Sequence, residues 1–510
     1  MKKIAALTLI LTAIIINTSI AETVNIIDLG ADPTAKTIST DAINAAIQTC
    51  VSKGGGTVIV PAGSYLTGTI FLKSNITFQL QPGAIIYGSR KLEDYPDIET
   101  CYWQKDAHFL FFAKDAENIT IQGSGIIDGN GDAYWNTPLK PKRPKTIQFR
   151  ECKNITFRDF TIRNSACYNI HTIACDNLKI TGITITNPYS SPNTDGLDID
   201  CCSNVMISDC KIETGDDCIA IKSDRTRACS EKACEKITIT NCTLKTSCCG
   251  MRIGWEGDNA IQDCTFSNLV IYDTSTGIDF ISVLPTSDPA KSFGSLITEG
   301  AKIQRLTFSN ITMDNVFHPV EMVIRKDKDM KDTPQKGLIK DIVMTNMVIR
   351  TDSFSTFSGL DENKIENLTL SNIQYILLAS EILEKQICPE KLKTARTRYE
   401  TGDKVIQPLN FYNVKNLNLS NISFRYEAQN DFWGSALRIN NSENVTIQTL
   451  TGGPYSENFP VIAMSGVNKA FVTNCFITAP AKKLIESDEK TKELTTTNNF
   501  IKETIQINSK

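Results

Sequence analysis

The sequence predicts an all-β chain folded as a single-domain right-handed parallel β-helix with an N-terminal capping α-helix. Three observations support this prediction. A short phrase of alternating apolar and polar residues recurs along the chain, Gly, Asn and Asp separate its copies, and only one segment has a convincing helical pattern. The 510 residues set no domain count by themselves, because a repeat fold extends one continuous core.

The repeated phrase is Asn, an aliphatic residue, a polar residue and another apolar residue. Its two-residue alternation places the apolar side chains on one side of a short strand. A single unit cannot bury that side alone, whereas stacked units bury it and pair their backbone edges, so the repeat predicts a solenoid of short strands. Copies lie at 118–121, 154–157, 177–180, 204–207, 367–370, 416–419 and 444–447.

The first 21 residues have the order typical of a secretory signal peptide. Met1, Lys2 and Lys3 precede an apolar run at 4–16, and small residues end the segment at Ser19 and Ala21. The run is shorter than the roughly 20 residues that span a bilayer. We therefore expect a signal peptide at 1–21 and a protein that is secreted, periplasmic or bound at the cell surface.

The remainder, 22–510, is expected to form one β-helix domain. Its capping segment covers about 22–60, where Thr40 and Asp41 open a helix through 42–48 and three glycines at 54–56 end it. A solenoid needs its first coil covered, so this helix is the predicted cap. The polar tail at about 487–510 is expected to be a short closing element or partly disordered.

Composition excludes one class of partner and leaves the thiol chemistry open. The chain has 53 basic and 57 acidic residues and a net charge of −4, so no basic field attracts nucleic acid.

Several of the 17 cysteines flank apolar strands, and we expect stacked, buried thiols rather than bridges. A zinc site at Cys248 and Cys249 with Cys229 and Cys234 is the alternative. No cofactor is expected, and the oligomeric state is open.

Carboxylates concentrate between 190 and 223. Asp195 and Asp216 are about one repeat apart, so a β-helix stacks them on neighbouring coils together with Asp217. Glycosidic cleavage needs a proton donor and a second carboxylate, and mutual repulsion raises the pKa of one crowded acid. The other interpretations are a surface turn and a calcium site.

Several short segments stand out in the first half of the chain: 193–196 (Asn-Thr-Asp-Gly), 215–218 (Gly-Asp-Asp-Cys), 55–63, 125–131 with Trp135, 143–144 and 164–165. Together they resemble the polygalacturonase family, glycoside hydrolase family 28. The resemblance covers about half of the chain, roughly 25–281. It implies a parallel β-helix and metal-free hydrolysis with inversion. Asp216 then matches the general acid, and Asp195 and Asp217 match the pair that activates water.

Two positions depart from the family pattern. Cys249 stands where the family has the His of Gly-His-Gly. Asp279 stands at the arginine position of the Arg-Ile-Lys motif, with which the family binds a galacturonate. Either the sugar on that side is neutral, or another cation has replaced the motif; Arg252 is preferred, and Lys222 and Arg325 are alternatives. The candidate substrate-binding residues are Arg252, Lys222, Asn193, Trp255, Asp279 and Glu256.

The predicted function is hydrolysis of pectin or a related plant cell-wall polysaccharide, including rhamnose-containing linkages. One alternative is a calcium-dependent polysaccharide lyase with Arg252 as base, and another is a non-catalytic glycan-binding β-helix. An insertion at 224–236 is expected to close one end of the substrate-binding groove. His318, on a later coil, is the histidine that could approach the cleft.

Overall fold

The structure is a computed structural model that describes residues 22–98, 107–136, 143–224, 230–284, 299–326, 337–378, 405–427, 433–479, 481 and 483–501. The predicted signal peptide lies outside these residues. Among them, 37 strands form one continuous sheet, and every pairing between strands is parallel. The chain is thus a parallel β-helix, as predicted.

The first part of the chain combines the cap with short strands. A 3₁₀ helix covers Ile26–Leu29, and α1 covers Thr40–Ser52. The strands are β1 Glu22–Asn25, β2 Thr34–Ile38, β3 Gly56–Val60, β4 Gly63–Thr67, β5 Ile70–Phe71, β6 Ile76–Leu80, β7 Ala84–Gly88, β8 Phe109–Lys114, β9 Glu117–Gln122 and β10 Ile126–Asp128, with 3₁₀ turns at Leu92–Asp94 and Gly131–Ala133.

The middle part carries three short strands in each coil before the strands lengthen. The strands are β11 Lys145–Arg150, β12 Lys153–Arg158, β13 Thr161–Arg163, β14 Ile170–Ile173, β15 Asp176–Thr181, β16 Thr184–Thr186, β17 Leu197–Asp200, β18 Ser203–Ser208, β19 Lys211–Thr214, β20 Ile219–Ser223, β21 Cys234–Thr246, β22 Cys249–Gly257, β23 Ala260–Val283 and β24 Lys302–Arg325.

The last part continues the same stack to residue 501. The strands are β25 Leu338–Thr351, β26 Ser355–Ser358, β27 Ile365–Leu377, β28 Leu409–Tyr412, β29 Val414–Tyr426, β30 Leu437–Asn440, β31 Glu443–Gly452, β32 Ile462–Ser465, β33 Asn468–Thr473, β34 Phe476–Ile477, β35 Ile485–Ser487, β36 Lys492–Thr497 and β37 Phe500–Ile501. The described part of the predicted tail therefore forms closing strands, since β36 and β37 pair with β33 and β34.

The predicted capping helix is present. α1 buries Ile43, Ala46, Ile47 and Cys50, and it covers the apolar interior that the first coil would otherwise expose. No helix in the described ranges is both long and apolar enough to cross a bilayer.

Asparagine ladders line the corners between strands. Asn118, Asn154 and Asn177 all have a positive φ near +58°, and each side-chain amide donates to the asparagine one coil earlier. Asn adopts this left-handed conformation more readily than most residues, which explains why it opens each copy of the repeat.

One face of the β-helix positions the candidate site. We call it the front sheet: β8, β11, β14, β17, β20 and β22, continued by residues 276–283 of β23 and 318–325 of β24. On it, direct lateral register aligns Asp198 with Ala220, Ala220 with Arg252, and Arg252 with Asp279. Residues distant in sequence therefore share one column.

Candidate active site

The turns that enter β17 and β20 bring three carboxylates together. The amide of Gly196 donates to the carbonyl of Asp217 at 2.8 Å, which stacks the two turns on adjacent coils. A Cβ on Gly196 would lie 2.4 Å from the Cys218 carbonyl oxygen, so this approach requires glycine. Carboxylate oxygens of Asp195, Asp216 and Asp217 all lie within 4.8 Å of one another.

The three acids differ in exposure. Asp195 and Asp217 are each 4% exposed, whereas Asp216 is half-buried. The Asn193 amide approaches Asp216 at 3.5 Å, and the Asp217 backbone N–H donates to the Asp216 carboxylate at 3.1 Å. Of the three, Asp216 is therefore the most accessible to a ligand in solution.

Arg252 forms a two-pronged contact with Asp217. Its Nε lies 2.6 Å from Oδ2 and its Nη2 lies 3.1 Å from Oδ1. Its remaining nitrogen, Nη1, lies 2.6 Å from Oδ2 of Asp279, and the guanidinium stacks over Trp255 at 4.6 Å from the ring centre. The planar fork of arginine suits such paired carboxylates.

Arg252 determines the protonation state of Asp217. Burial alone would raise the pKa of this carboxyl, but the charge and hydrogen bonds of Arg252 outweigh burial and leave the pKa below its ordinary value. Asp217 is thus an ionised carboxylate in the resting site.

Asp195 has the opposite shift. Burial first, then the charges of Asp198 and Asp216, raise its pKa well above the ordinary value. Lys222 opposes this shift only in part, because its Nζ lies 2.7 Å from Asp198 and 3.6 Å from Asp195. Oδ1 of Asp195 is buried and accepts no hydrogen bond within the described part of the chain. The crowded, buried cluster therefore favours the protonated form of Asp195.

The structure places most of the predicted binding residues in this site. Arg252 contacts both Asp217 and Asp279. Lys222 is 2% exposed and contacts Asp195 and Asp198. Asn193 accepts a 2.6 Å hydrogen bond from Arg143, whose guanidinium also holds the Pro192 carbonyl. The side chain of Glu256 lies outside the described residues.

Lys145, Gln148, Tyr168 and His171, one to two coils before the cluster, are not among the predicted site residues. Lys145 and Lys222 lie over the Tyr168 ring at 4.8 and 5.0 Å, and Lys145 also approaches Gln148 and His171. The sequence carries a pattern that could have identified them: in the strands of the front sheet, polar side chains alternate with apolar side chains that point inward.

The cysteines are free thiols throughout the described residues, and all of them except the half-exposed Cys248 are buried. The predicted zinc partner Cys234 is buried in the core, where its thiol faces the Ile199 carbonyl. Cys229 and residues 225–228 of the predicted insertion lie outside the described residues. His318 contacts Ser353 and Phe354 and lies two coils beyond Cys249.

A model of the family described as glycosyl hydrolases family 28 matches residues 50–381. A probable polygalacturonase of Vitis vinifera is 31% identical over 277 residues, which cover 51% of this chain and 56% of that protein. An exopolygalacturonase of Platanus acerifolia is 28% identical over 311 residues, 58% of this chain and 73% of its own.

Solved structures support the fold. An exopolygalacturonase from Thermotoga maritima superposes with a TM-score of 0.61 at 21% identity and covers 78% of this chain and 92% of its own. A family 28 exopolygalacturonase from Yersinia enterocolitica has the same TM-score and identity over 85% and 79%. The chain spans about half the length of the first two curated relatives, 56% and 54%.

Proposed function

Since the chain belongs to glycosyl hydrolases family 28, we propose that it hydrolyses glycosidic bonds of pectin or a related plant polysaccharide. The observation that carries the proposal is the cluster of Asp195, Asp216 and Asp217, with one carboxylate held ionised by Arg252 and one acid that retains its proton. Such a cluster can supply both the proton donor and the carboxylate base that cleavage of a glycosidic bond requires.

We assign the roles as follows. Asp216, on the accessible side, protonates the leaving oxygen. Asp217, ionised by Arg252, is the principal base that takes a proton from the attacking water. Asp195 belongs to the same water-binding pair, but its raised pKa makes it a hydrogen-bond donor to the water in the resting site.

Inversion is the stereochemical outcome that the family resemblance implies. One oxygen of each of the three carboxylates lies within 4.8 Å of the others, whereas inverting glycosidases usually separate the acid and base carboxyl groups by roughly 6.5–9.5 Å. The anomer of the first product, followed by NMR, decides the outcome: an inverted anomer supports this assignment, and a retained one overturns it.

The charges of the site favour a neutral sugar beside Asp279. Arg252 is shared between Asp217 and Asp279, and Lys222 between Asp195 and Asp198. Both cations are thus occupied by protein carboxylates, and a uronate placed beside Asp279 would meet a like charge. We propose that the substrate joins a uronate to a neutral sugar such as rhamnose at this position.

The contacts of Arg252 disfavour the lyase alternative. A lyase would use Arg252 as base, yet burial, which lowers its pKa, is outweighed by Asp217 and Asp279, so the pKa is raised well above the ordinary value. An arginine in this setting cannot accept a proton. The glycan-binding alternative leaves the opposed pKa shifts of Asp195 and Asp217 without a use.

The test compares polygalacturonate, rhamnogalacturonan and their oligosaccharides as substrates of the purified protein, with and without a chelator. Reducing ends, ultraviolet absorbance and product anomers are recorded, with Asp216→Asn as the control. We expect chelator-resistant hydrolysis, fastest on the rhamnose-containing substrate and lost in the variant. Absorbing, calcium-dependent products would establish a lyase, and sugar binding without cleavage would establish a binding protein.

The signal peptide and the single catalytic domain are part of the same proposal. Residues 1–21 are a signal peptide that directs the protein out of the cytoplasm, and 22–510 form one catalytic domain. Intact mass of the protein recovered from the periplasm or medium tests this: a chain that retains residues 1–21 there contradicts it.

A further inference from the structure

Arg143 is a buried cation beside the turn that precedes β17. The residue is 4% exposed. Its Nη1 donates to the carbonyl oxygens of Pro192 at 2.6 Å and Ala166 at 3.1 Å, and its Nη2 donates to Oδ1 of Asn193 at 2.6 Å. Arg143 belongs to the segment 143–144 that contributes to the family resemblance, yet the catalytic roles proposed above do not include it.

The contact with Arg143 determines which end of the Asn193 amide faces Asp216. A guanidinium carries only donors, so the atom that it contacts must be the amide oxygen. The NH₂ group therefore points the other way, and its nitrogen lies 3.5 Å from Oδ2 of Asp216. Exchanging the two ends of the amide would set N–H groups against N–H groups, which loses the hydrogen bond and leaves buried donors unsatisfied.

The orientation of this amide affects the proton that Asp216 transfers. The backbone N–H of Asp217 donates to Oδ1 of Asp216 at 3.1 Å, whereas Oδ2 faces the Asn193 amide. An amide oxygen in that place would accept the proton of the acid and compete for it with the leaving oxygen of the substrate. An NH₂ group does not accept a proton, so it leaves the proton to the substrate.

Asn169 holds the backbone of the same turn independently of Arg143. It is fully buried, and its Nδ2 donates to the carbonyl oxygens of Thr194 at 3.2 Å and Asp195 at 2.9 Å. The backbone beyond Asn193 therefore has its own support. A change at Arg143 is thus expected to act mainly on the amide of Asn193.

We propose that Arg143 is a positioning residue, which fixes the Asn193 amide with its NH₂ group toward Asp216 and so keeps the proton of this acid available to the leaving oxygen. The effect on the rate rests on the proposed function of Asp216, whereas the orientation of the amide does not.

Arg143→Lys tests the effect on the rate. A lysine has a single nitrogen and cannot reproduce the fork that contacts both Pro192 and Asn193. We expect kcat on an oligosaccharide to fall about 10-fold, a part of the roughly 10²–10⁴-fold that a general acid contributes. On an aryl glycoside with an activated leaving group, which needs little protonation, kcat should change less than about 2-fold. Equal losses on both substrates would indicate a structural role and overturn the proposal.

A double-mutant cycle tests whether Arg143 acts through Asn193. Asn193→Gly removes the amide without straining the backbone, because φ is +54° at this residue. In this background Arg143→Lys should lower kcat by less than about 2-fold, since two residues that act as a unit are not additive. A further loss as large as in the wild type would show that the backbone carbonyls carry the effect. Arg163→Lys is the matched control: Arg163 contacts Asp128 at 2.7 Å, and kcat should stay unchanged.

Asn193→Asp tests the competition for the proton. Its carboxylate retains an acceptor for Arg143 but also places an oxygen toward Asp216. We expect kcat to be at least about 10-fold lower than in Asn193→Gly, because that oxygen accepts the proton of the acid. Equal rates for the two variants would contradict the proposal. Melting temperatures confirm that each variant is folded.

Neutron diffraction of crystals exchanged into heavy water locates the deuterons of the Asn193 amide, whether or not the protein is active. We expect the ND₂ group on the side of Asp216. An ND₂ group on the side of Arg143 would overturn the inference even for an active enzyme. The expected orientation in a protein that cleaves no substrate would refute the proposed function and the effect on the rate, but not the orientation of the amide.

Discussion

Arg252 and Asp279 are direct lateral neighbours on adjacent coils of the front sheet, and Nη1 of the arginine lies 2.6 Å from Oδ2 of the aspartate. The resemblance to polygalacturonases implies an arginine at position 279. In this chain the acid stands there, and an arginine lies one coil earlier. The cation thus contacts Asp217, the proposed base, instead of standing where the family binds a sugar carboxylate.

Replacing Arg252 should change the pH profile of the reaction. Arg252→Lys loses the two-pronged contact with Asp217, so burial raises the pKa of that carboxyl and the base is protonated at higher pH. We expect the acid limb of kcat/KM to move up by about 1 pH unit, since one unit corresponds to about 1.4 kcal/mol. Arg305→Lys is the matched control, because Arg305 grips Asp263 with the same fork on the exposed surface. An unchanged acid limb would contradict the role of Arg252.

Neutralising Asp279 should change substrate preference. Asp279→Asn leaves more of the Arg252 charge available to a ligand, so a uronate at this position becomes less unfavourable. We expect kcat/KM for oligogalacturonides to rise about 10-fold relative to that for rhamnose-containing oligosaccharides, about 1.4 kcal/mol. The ratio for each pair of equal-length oligosaccharides is the measurement, and a ratio unaffected by the substitution would disprove the neutral-sugar position.

Removing the acid should abolish turnover without unfolding the protein. Asp216→Asn keeps the size of the side chain but cannot protonate the leaving oxygen, and such a loss lowers kcat about 10²–10⁴-fold. Because Asp216 is half-buried, the melting temperature should stay close to that of the wild type. Substrates with an activated leaving group need less protonation and should recover part of the rate. No recovery would argue against Asp216 as the acid.

The raised pKa of Asp195 predicts a pH-dependent effect on stability. Above the ordinary pKa of 3.8, the unfolded chain releases this proton while the folded chain keeps it, so wild-type stability falls as pH rises. Asp195→Asn has no proton to lose. Its free energy of unfolding relative to wild type, measured by denaturant unfolding at each pH, should therefore rise from pH 4 to pH 8, by at most about 1.4 kcal/mol per pH unit.

The exposed Asp209 provides the control for this experiment. Hydrogen bonds from Ser208 and then Asn241 lower its pKa, so its carboxyl is already ionised in both states above pH 4. The difference between Asp209→Asn and wild type should show no trend over the same range. Parallel curves for the two variants would exclude a proton held on Asp195.

The asparagine ladder can be tested by paired substitutions at Asn154. Its φ is +57°, and it bonds both Asn118 and Asn177. Asn154→Gly loses these hydrogen bonds, whereas Asn154→Ala also adopts a strained left-handed conformation. We expect the alanine variant to be less stable than the glycine variant by about 1 kcal/mol, after allowance for the greater freedom of unfolded glycine. Denaturant unfolding measures the difference, and equal stabilities would contradict it.

The sequence predicts the fold and the carboxylate cluster for one reason: both follow from the period of the repeat. A shift of about one coil brings Asp195 beside Asp217, and alternation within β17 places Asp198 outward. The bridge from Asp217 through Arg252 to Asp279 is different. It depends on the rotamer of the buried Arg252 side chain, which alternation does not encode.

The cysteines show the same limit. Repetition correctly indicated buried thiols, but it could not show that Cys234 lies in the core while Cys248 and Cys249 face the carboxylates. Whether a side chain at a bend points into the core or toward the carboxylates depends on local backbone geometry. Spacing alone does not determine it.

Because the coils stack in parallel, the number of coils sets the length of the β-helix. Backbone pairing joins each described strand to strands of adjacent coils, and the proposed reacting groups all come from the few consecutive coils between β17 and β23. Gain or loss of a whole coil beyond β24 would change the length of the front sheet while leaving the carboxylate cluster in place. A single-residue insertion within β20 would instead reverse which of its side chains point outward.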